Sequence, residues 1–293
     1  MIAESPTVRL DLESRPETLT LVRAMLGGVA ECFALDPDLL DDLKTAVSEA
    51  CNNVVMHAYD GEVGPMRVQL YVTAGGIRVT VQDSGAGISA LPAAEDRRPG
   101  VGLPVIRALA DEADFTRRPE GGTEVQMVFA ASRAGRALFE PPDAAGVGGV
   151  AAVAGAAGAG GDDGWSAQAA GEVVMSLSPV ALLSGVLGRV ARALAATSHF
   201  SLDRFSDVYL VTDALANHAA IAASGARIGC RLIAGERHLE LSVGPFRAGS
   251  GVRFSTDRAD GMISPLFLLS DEVTVERAGE DELLHLVLVD HRR

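Results

Sequence analysis

Aromatic residues are scarce in this sequence, at 4% of 293 residues, although 48% of the residues are hydrophobic. Aliphatic side chains must therefore supply most of the packing in any core. Basic residues are also few, since 25 Lys and Arg stand against 39 Asp and Glu, for a formal net charge of −14. A surface this acidic repels nucleic acid and anionic membranes over most of its area, so direct DNA binding is not expected.

Only three cysteines are present, and Cys32, Cys51 and Cys230 share no spacing typical of a metal site. They lie in apolar segments, so reduced thiols in the core are expected. The sequence does not open with basic residues followed by an apolar run, so no export signal is expected. The apolar tract at 147–161 contains no Leu or Ile to favour membrane insertion. The composition predicts a cytoplasmic protein that does not enter a membrane.

Glycine and alanine crowd one stretch, from 136 to 170, which contains PPDAAGVGGVAAVAGAAGAGG. This composition predicts a flexible linker, because glycine weakens helices and small side chains cannot form a core. The linker would separate a first domain at 1–135 from a second domain at 171–293.

Periodic patterns in the first domain predict a strand at TVRLDLE and helices from about Glu17 to Phe33 and from Pro37 to Tyr59. Two strands joined by Ala-Gly-Gly follow, then the helix LPVIRALADEAD and a closing hairpin. The order fits an α+β sandwich, with helices on one face of a mixed, mostly antiparallel sheet.

The second domain repeats this order, and Asp213 and Asn217 keep the four-residue spacing of Glu49 and Asn53. We therefore predict a diverged tandem repeat of one domain. The alternative is a chance likeness between two amphipathic α+β segments.

Three short motifs in the first domain carry the polar groups of a candidate site. The helical segment VSEACNNVVMHAY stacks Glu49, Asn53 and His57 on one face, because residues four apart are neighbours on a helix. DSGAG at 83–87 ends a strand, and GVGL at 100–103 opens a helix. Each motif alone has an ordinary explanation, namely a solvated helix face, a turn or a flexible helix entry.

Together the motifs resemble those of the Bergerat-type nucleotide fold, the GHKL superfamily, and within it the anti-sigma-factor serine/threonine kinases. VSEACNNVVMHAY resembles the N box of that branch, DSGAG and GVGL its two glycine boxes, and GGTEVQMVF its closing strand. The resemblance covers about Val8 to Phe129. It implies two tandem Bergerat-type sandwiches joined by the linker, of which the second is degenerate.

The resemblance also implies ATP or ADP and Mg²⁺ as ligands. Asn53 would be the Mg²⁺ ligand, since this ion prefers oxygen, and Glu49 the general base in phosphoryl transfer. Asp83 would accept a hydrogen bond from the adenine amino group. The other nucleotide-binding positions implied are Gly85, Gly87, Gly100, Gly102, Leu103, Thr123, Arg97 and Arg98.

Several of these positions keep a second explanation. Arg97 and Arg98 would contact phosphates as a lid closes, or remain solvated charges. Arg23 matches an arginine of the protein–protein surface in the anti-sigma branch, although a lone helical arginine is usually solvent-facing. His57 is left out of catalysis, because packing or helix capping explains it equally well.

The second domain lacks the matching nucleotide motifs. Its strand HLELSV runs into Gly-Pro-Phe at 244–246 without an aspartate, and DGMISP at 260–265 stands in place of the glycine motif. Loss of one buried hydrogen bond costs about 1–3 kcal/mol, so no ATP is expected there. Asp213 and Asn217 would then be remnants.

By resemblance, the protein would sequester a sigma factor and phosphorylate a serine or threonine of a STAS-type antagonist. Kinases of this branch act as homodimers, so the second domain would complete a pseudo-dimer within one chain. One alternative is a nucleotide-dependent switch that transfers no phosphate. Another is an ATP hydrolase, for which the sequence offers neither a long lid nor a transducer domain.

Overall fold

A computed structural model describes residues 5–86, 102–133, 171–251 and 265–291. The chain divides into two units, Met1–Glu140 and Pro141–Arg293. The predicted linker at 136–170 lies outside the described residues. Within the described part of the chain, no helix is long and apolar enough to cross a membrane.

The first unit has the predicted α+β architecture. Its strands are β1 (Val8–Glu13), β2 (Pro65–Thr73), β3 (Gly76–Asp83), β4 (Glu112–Arg117) and β5 (Thr123–Ala130). They pair in the order β4-β5-β3-β2-β1, and each of these pairings is antiparallel. The helices are α1 (Thr18–Phe33), α2 (Pro37–His57) and α3 (Gly102–Leu109), and a short 3-10 helix, Ala131–Arg133, follows β5.

The core of the first unit lies between the sheet and the apolar stripes of its helices. Alternate residues of β5, namely Val125, Met127 and Phe129, are buried, as expected when one face of a strand meets a core. Phe129 is fully buried, and burial of one such side chain contributes about 1.5–3 kcal/mol. Most of the remaining buried side chains are aliphatic, as the composition predicted.

The second unit has the same topology. Its strands are β6 (Glu172–Leu177), β7 (Ile228–Gly235), β8 (His238–Arg247), β9 (Glu272–Ala278) and β10 (Asp281–Val289). They pair in the order β6-β7-β8-β10-β9. The helices are α4 (Leu182–Thr197), α5 (Leu202–Ala222) and α6 (Pro265–Leu269). In both units the first strand is followed across the sheet by the second, third, fifth and fourth.

The long helices α2 and α5 bury the same face in their respective units. The matching buried pairs are Leu43 and Val208, Ala46 and Val211, Val47 and Thr212, Ala50 and Leu215, Cys51 and Ala216, and Val54 and Ala219. This match fixes which positions correspond. His218 occupies the place of Asn53, and Ala214 that of Glu49.

An arginine holds the end of α3 in the first unit. Arg133, just after β5, donates to the carbonyl of Leu109 at 2.7 Å and forms an ion pair with Asp42 of α2. It also lies 3.5 Å from Asp111, whose carboxylate accepts the N–H of Ala130 at 2.8 Å. We call this group the arginine clamp of the first unit.

The second unit has an equivalent clamp with an arginine from a different element. Arg204, on α5, donates to the carbonyl of Leu269 at 2.7 Å and forms ion pairs with Asp271 and, at 3.0 Å, with Asp207. The Asp271 carboxylate accepts the N–H of Val289 at 2.7 Å. The equivalent acceptors make Leu269 the counterpart of Leu109, so positions along α6 correspond to positions along α3.

Three predicted details are wrong. α2 ends at His57 rather than Tyr59, with Ala58 as its C-cap residue. α3 ends at Leu109 rather than Asp114, because Glu112 begins β4 and pairs with Val128. The ladder of hydrogen bonds outweighs the helical preference of the segment LADEAD.

The third wrong detail concerns a cysteine. Cys51 and Cys230 are buried free thiols, as predicted, but Cys32 is exposed. Burial raises the pKa of the Cys51 thiol to about 12. Cys32 lies on the outer face of α1, whereas the apolar residues near it in the sequence lie on the buried face of that helix.

Candidate functional site

Asp83, the last residue of β3, is a buried carboxylate held by backbone N–H groups. Its Oδ1 accepts hydrogen bonds from Gly85 N at 2.9 Å and Thr123 N at 3.2 Å. Burial raises the pKa of Asp83, and these hydrogen bonds together with the charge of Arg118 offset part of the rise. The arrangement presents an oriented hydrogen-bond acceptor inside the protein.

Two glycines let the backbone close tightly around Asp83. A Cβ on Gly85 would lie 2.0 Å from the carbonyl oxygen of Ala58, and that same oxygen accepts the N–H of Ala86 at 2.9 Å. Gly122 has φ of +85°, and a Cβ there would lie 2.1 Å from the carbonyl oxygen of Asp83. The loop after β3 is therefore confined between the end of α2 and the β4–β5 turn.

Tyr59 and Arg118 support this loop and were missed in the sequence. The Tyr59 hydroxyl accepts the N–H of Ser84 at 2.8 Å and donates to the carbonyl of Pro65 at 2.5 Å. Burial raises the pKa of Tyr59 to about 12. Arg118 donates to the carbonyl of Asp83 at 3.4 Å. Tyr59 could have been found from the sequence, because a tyrosine has a polar hydroxyl that needs a partner when the ring is buried, and this one comes directly after a helix with polar residues.

The polar face of α2 changes in exposure along the helix. Glu49 and Asn53 are half-buried, whereas His57 is exposed. The Nδ2 atom of Asn53 is enclosed and has no hydrogen-bond partner among the described residues. A buried amide without a partner costs about 1–3 kcal/mol, so this group suits a ligand that supplies the missing hydrogen bond.

The structure brings some of the predicted residues together. Asp83, Gly85 and Thr123 meet around one carboxylate, and the hydrogen bond from Ala86 to Ala58 attaches their loop to the end of α2, one turn beyond Asn53. Gly102 begins α3 and Leu103 is exposed. Gly87, Arg97, Arg98 and Gly100 lie outside the described residues.

Arg23, the predicted partner-binding residue, is exposed on α1. Its Nε donates to the Ser48 hydroxyl on α2 at 2.8 Å, and Ser48 directly precedes Glu49. The guanidinium therefore lies at the surface where α1 meets α2. Its role in partner binding stays a prediction.

The structure corrects the correspondence assigned to Asp213 and Asn217. Both are exposed, and Asn217 Nδ2 donates to Asp213 Oδ2 at 3.1 Å. They lie one position before Ala214 and His218. Relative to the buried residues of α5, Ala214 and His218 have the positions that Glu49 and Asn53 have relative to the buried residues of α2. A spacing of four is preserved by any shift along a helix, so the spacing alone could not fix the position.

The place of the Asp83 loop is closed in the second unit. β8 continues through Phe246, which is fully buried, and the Phe246 ring lies 5.0 Å from the ring of His218. Residue 246 forms a bridge with Ala223 at the end of α5. Burial lowers the pKa of His218. An aromatic pair thus packs where the first unit has a glycine loop.

Comparisons with known proteins agree with the motifs of the first unit. The model of the histidine kinase-like ATPase domain family matches residues 12–129. An anti-sigma F factor of Thermoanaerobacter sp. (strain X514) is 29% identical over 131 residues, covering 41% of this chain and 90% of that protein. The serine-protein kinase RsbW of Bacillus pumilus (strain SAFR-032) is 32% identical over 136 residues, covering 41% and 83%.

One solved structure with similarity contains the RsbU and RsbW domains of a Mycobacterium tuberculosis protein. It is 24% identical, covers 41% of this chain and 32% of that chain, and has a TM-score of 0.31. The sequence relatives, rather than this structural overlap, carry the family relationship.

Proposed function

Since this chain belongs, through its first unit, to the histidine kinase-like ATPase family that includes anti-sigma F factors and RsbW serine-protein kinases, we propose that it binds ATP and phosphorylates a partner protein. One observation carries the proposal. The buried carboxylate of Asp83 and the enclosed amide of Asn53, which has no partner in the described part of the chain, lie on elements joined by the Ala86–Ala58 hydrogen bond.

Asp83 supplies the selectivity for adenine in this proposal. Its carboxylate accepts a hydrogen bond from the exocyclic amino group, whereas guanine presents a carbonyl oxygen at the same position. Two acceptors facing each other in a buried site cost far more than a weakened contact. Thr123 supports the acceptor through its backbone N–H, which donates to Asp83.

Asn53 is the residue proposed to meet the metal and the phosphates. No group of three or more His, Cys, Asp or Glu side chains in the described part of the chain could hold a metal. Mg²⁺ would therefore arrive with the nucleotide phosphates and take one oxygen from the protein, as this ion commonly does. The orientation of an amide is an assignment, so the enclosed group suits either a phosphate oxygen or the ion.

Glu49, one turn before Asn53, is the proposed general base. The hydroxyl oxygen of a substrate serine or threonine forms a bond to the γ-phosphorus, and the bond to the bridging oxygen breaks. ADP leaves, and Glu49 takes the hydroxyl proton. Its half-buried position would give the carboxylate contact with both the site and an entering protein substrate.

The partners proposed are a sigma factor, which the protein sequesters, and a STAS-type antagonist, which it phosphorylates. The names of the relatives support the binding of a sigma factor and the phosphorylation of a serine, because both anti-sigma factors and serine-protein kinases align with the chain. Arg23 is the proposed contact on the first unit. We also propose that the chain is a tandem repeat with boundaries at 1–135, 136–170 and 171–293.

Nucleotide binding is tested by thermal unfolding with Mg²⁺ and either ATP or GTP. At ATP a hundredfold above Kd, the bound state gains about 2.7 kcal/mol, and we expect Asp83→Asn to remove most of this gain. Asp213→Asn, an exposed aspartate of the second unit, is the matched control and should retain it. If ATP fails to stabilise the wild-type chain, the proposal is wrong.

Phosphoryl transfer is tested with γ-labelled ATP, Mg²⁺ and purified STAS proteins. We expect label on a serine or threonine, and a loss of about 100-fold or more in Glu49→Gln, since a general base contributes that much. Glu62→Gln, an exposed carboxylate beyond α2, is the control. Bound ATP without label on any partner would favour the switch without transfer, and phosphate release alone would favour a hydrolase.

The second unit is proposed to bind no nucleotide. The Phe246–His218 pair supports this, because it packs where the first unit has its glycine loop. Calorimetric titration should therefore give one ATP per chain. Two sites of similar affinity would contradict the assignment of the second unit as degenerate.

A further inference from the structure

The outer surface of the second unit exposes large apolar side chains. Of the nine large hydrophobic residues exposed among those that the structure describes, six lie on α5 and α6. They are Leu202, Tyr209, Leu210, Ile221, Phe267 and Leu268. Single exposed hydrophobic residues need no explanation, but a concentration on two packed helices indicates an interaction surface.

Three of these residues form a common face. α6 lies beside the first turns of α5, because Arg204 donates to the carbonyl of Leu269 at 2.7 Å and pairs with Asp207 at 3.0 Å. Leu210 follows Asp207 by one helical turn and so lies on the flank that faces α6. We define the apolar face as Leu210, Phe267 and Leu268, which are 48%, 45% and 64% exposed.

The first unit is polar or small at the same positions of the same fold. The correspondence set by the buried faces of the long helices and by the arginine clamps gives three pairs. They are Thr45 and Leu210, Arg107 and Phe267, and Ala108 and Leu268. The architecture does not require apolar residues there, so a property of the second unit alone must explain them.

Acidic side chains predominate around the apolar face, although Arg192 of α4 lies 5.2 Å from the ring of Tyr209, the residue before Leu210. Asp203 and Asp213 on α5 are exposed, as are Asp271 and Glu272 directly after α6. In α5 and α6, as far as the structure describes them, the one cationic side chain is Arg204, and it is engaged by Asp207 and Asp271. An acidic border around an apolar centre is complementary to an apolar segment flanked by Arg or Lys.

We propose that the apolar face of the second unit is a docking site for a basic amphipathic helix of a partner protein. A helix lying along the face would place its apolar side chains on the three exposed residues and its basic side chains on the aspartates. A second copy of this chain would bring the same acidic border against itself, and an anionic lipid surface would be repelled. The site is separate from the proposed nucleotide site and does not depend on it.

The test uses the full chain and a synthetic probe, measured by fluorescence anisotropy. The probe is a 20-residue amphipathic peptide with Leu along one face and Arg on both flanks, and its twin carries Glu in place of Arg. We expect the basic peptide to bind at least about tenfold more tightly than the twin, with an affinity that falls as salt rises.

Two sets of variants separate docking from general attraction to an acidic protein. The neutral change Leu210→Thr with Leu268→Ala installs the residues of the first unit without altering charge, and should weaken binding at least about tenfold. Adding Phe267→Arg should weaken it further. Met56→Ala, at a 60% exposed position of the first unit, is the matched control and should leave binding unchanged.

Three results would overturn the inference. The first is equal affinity for the two peptides, and the second is unchanged affinity in the double variant. The third is self-association of the wild-type chain, seen by sedimentation, that the double variant abolishes, since the face would then join two copies. The thermal shift with ATP, run on the same variants, should stay unchanged, which shows that they fold and separates this test from that of the nucleotide site.

Discussion

The two units of this chain share one topology and differ where the long second helix meets the third strand. In the first unit β3 stops at Asp83, and a glycine loop turns back to the carbonyl of Ala58. In the second unit β8 runs on through Phe246, whose ring packs against His218. The same scaffold therefore holds either a glycine loop or an aromatic pair at this place, according to where one strand ends.

This difference also changes the state of the polar groups on the helix. Asn53 keeps an enclosed amide without a partner among the described residues, whereas Asn217 satisfies its amide with Asp213 in solvent. An enclosed amide without a partner carries an energetic cost that an amide bonded at the surface avoids. Four predictions test that comparison, in order of the expected effect on the stability of the ligand-free chain, from the largest to the smallest.

The first prediction contrasts two glycines in equivalent hairpin turns. Gly122→Ala should destabilise the chain by about 3 kcal/mol, because it combines a left-handed φ with overlap on the backbone of Asp83. Gly279→Ala should cost about 1 kcal/mol, since its φ is +68° and nothing lies within 4 Å of the added Cβ. Urea unfolding measures both. Equal costs would contradict the close packing around Asp83.

The second prediction contrasts the two arginine clamps. Arg204→Ala should cost about 2 kcal/mol and Arg133→Ala about 1 kcal/mol, because each change leaves a helix-end carbonyl and carboxylates without their cation. We expect the larger loss for Arg204 because its side chain is less exposed, at 16% against 31% for Arg133. The same unfolding assay checks it, and a larger loss in Arg133→Ala would reverse the interpretation.

The third prediction contrasts the two asparagines. Asn53→Ala should abolish stabilisation by Mg²⁺-ATP while leaving the ligand-free chain at least as stable, because it removes a buried amide that no described residue satisfies. Asn217→Ala should cost only about 0.3 kcal/mol, the value of one exposed pair on a helix, and leave ATP binding intact. Thermal unfolding with and without nucleotide separates the outcomes. A marked loss of stability in ligand-free Asn53→Ala would give that residue a structural role.

The fourth prediction is an opposite pH dependence in the two units. Burial raises the pKa of Asp83 above 3.8, so the folded state holds its proton more tightly and this contribution to stability is lost as pH rises above 3.8. Burial lowers the pKa of His218 below 6.5, so its contribution is lost as pH falls below 6.5.

Two variants isolate these contributions in urea unfolding at a series of pH values. Asp83→Asn should remove the loss of stability above pH 3.8, and His218→Phe should reduce the loss below pH 6.5. These are the smallest expected effects, because hydrogen bonds and the charge of Arg118 offset part of the rise in the pKa of Asp83, and because His218 is half-buried. If neither variant changes the slope against pH, the burial of the two groups does not control their protonation.

The regular elements were predictable because burial imposes a period that the sequence displays. The alternation of Val125, Met127 and Phe129 indicates a strand, and the spacing of Leu43, Val47 and Val54 indicates a helix. The residues at which helices and strands end were harder to predict from the sequence. Glu112 belongs to a good helix-forming segment and joins β4 only because Val128 pairs with it, and that long-range contact leaves no local pattern.

The candidate site was predictable in part, through motifs and not through contacts. Asp83 and Gly85 stand in a recognisable order, but the contact of Gly85 with Ala58 and the support from Tyr59 and Arg118 depend on chain segments far apart in sequence. The placement of Asp213 failed for a related reason. The position of a residue around a helix is set by which neighbours are buried, and a repeated spacing does not contain that information.

The two arginine clamps show that the same contacts at a helix end can be made by side chains from different parts of the fold. Arg133 follows β5 and Arg204 lies on α5, where the matching position of the first unit is Leu39, so the two arginines do not occupy equivalent positions. Both nevertheless hold a leucine carbonyl and a pair of aspartates. One set of acceptors at the end of the short helix can therefore be met by a cation from either of two elements of the fold.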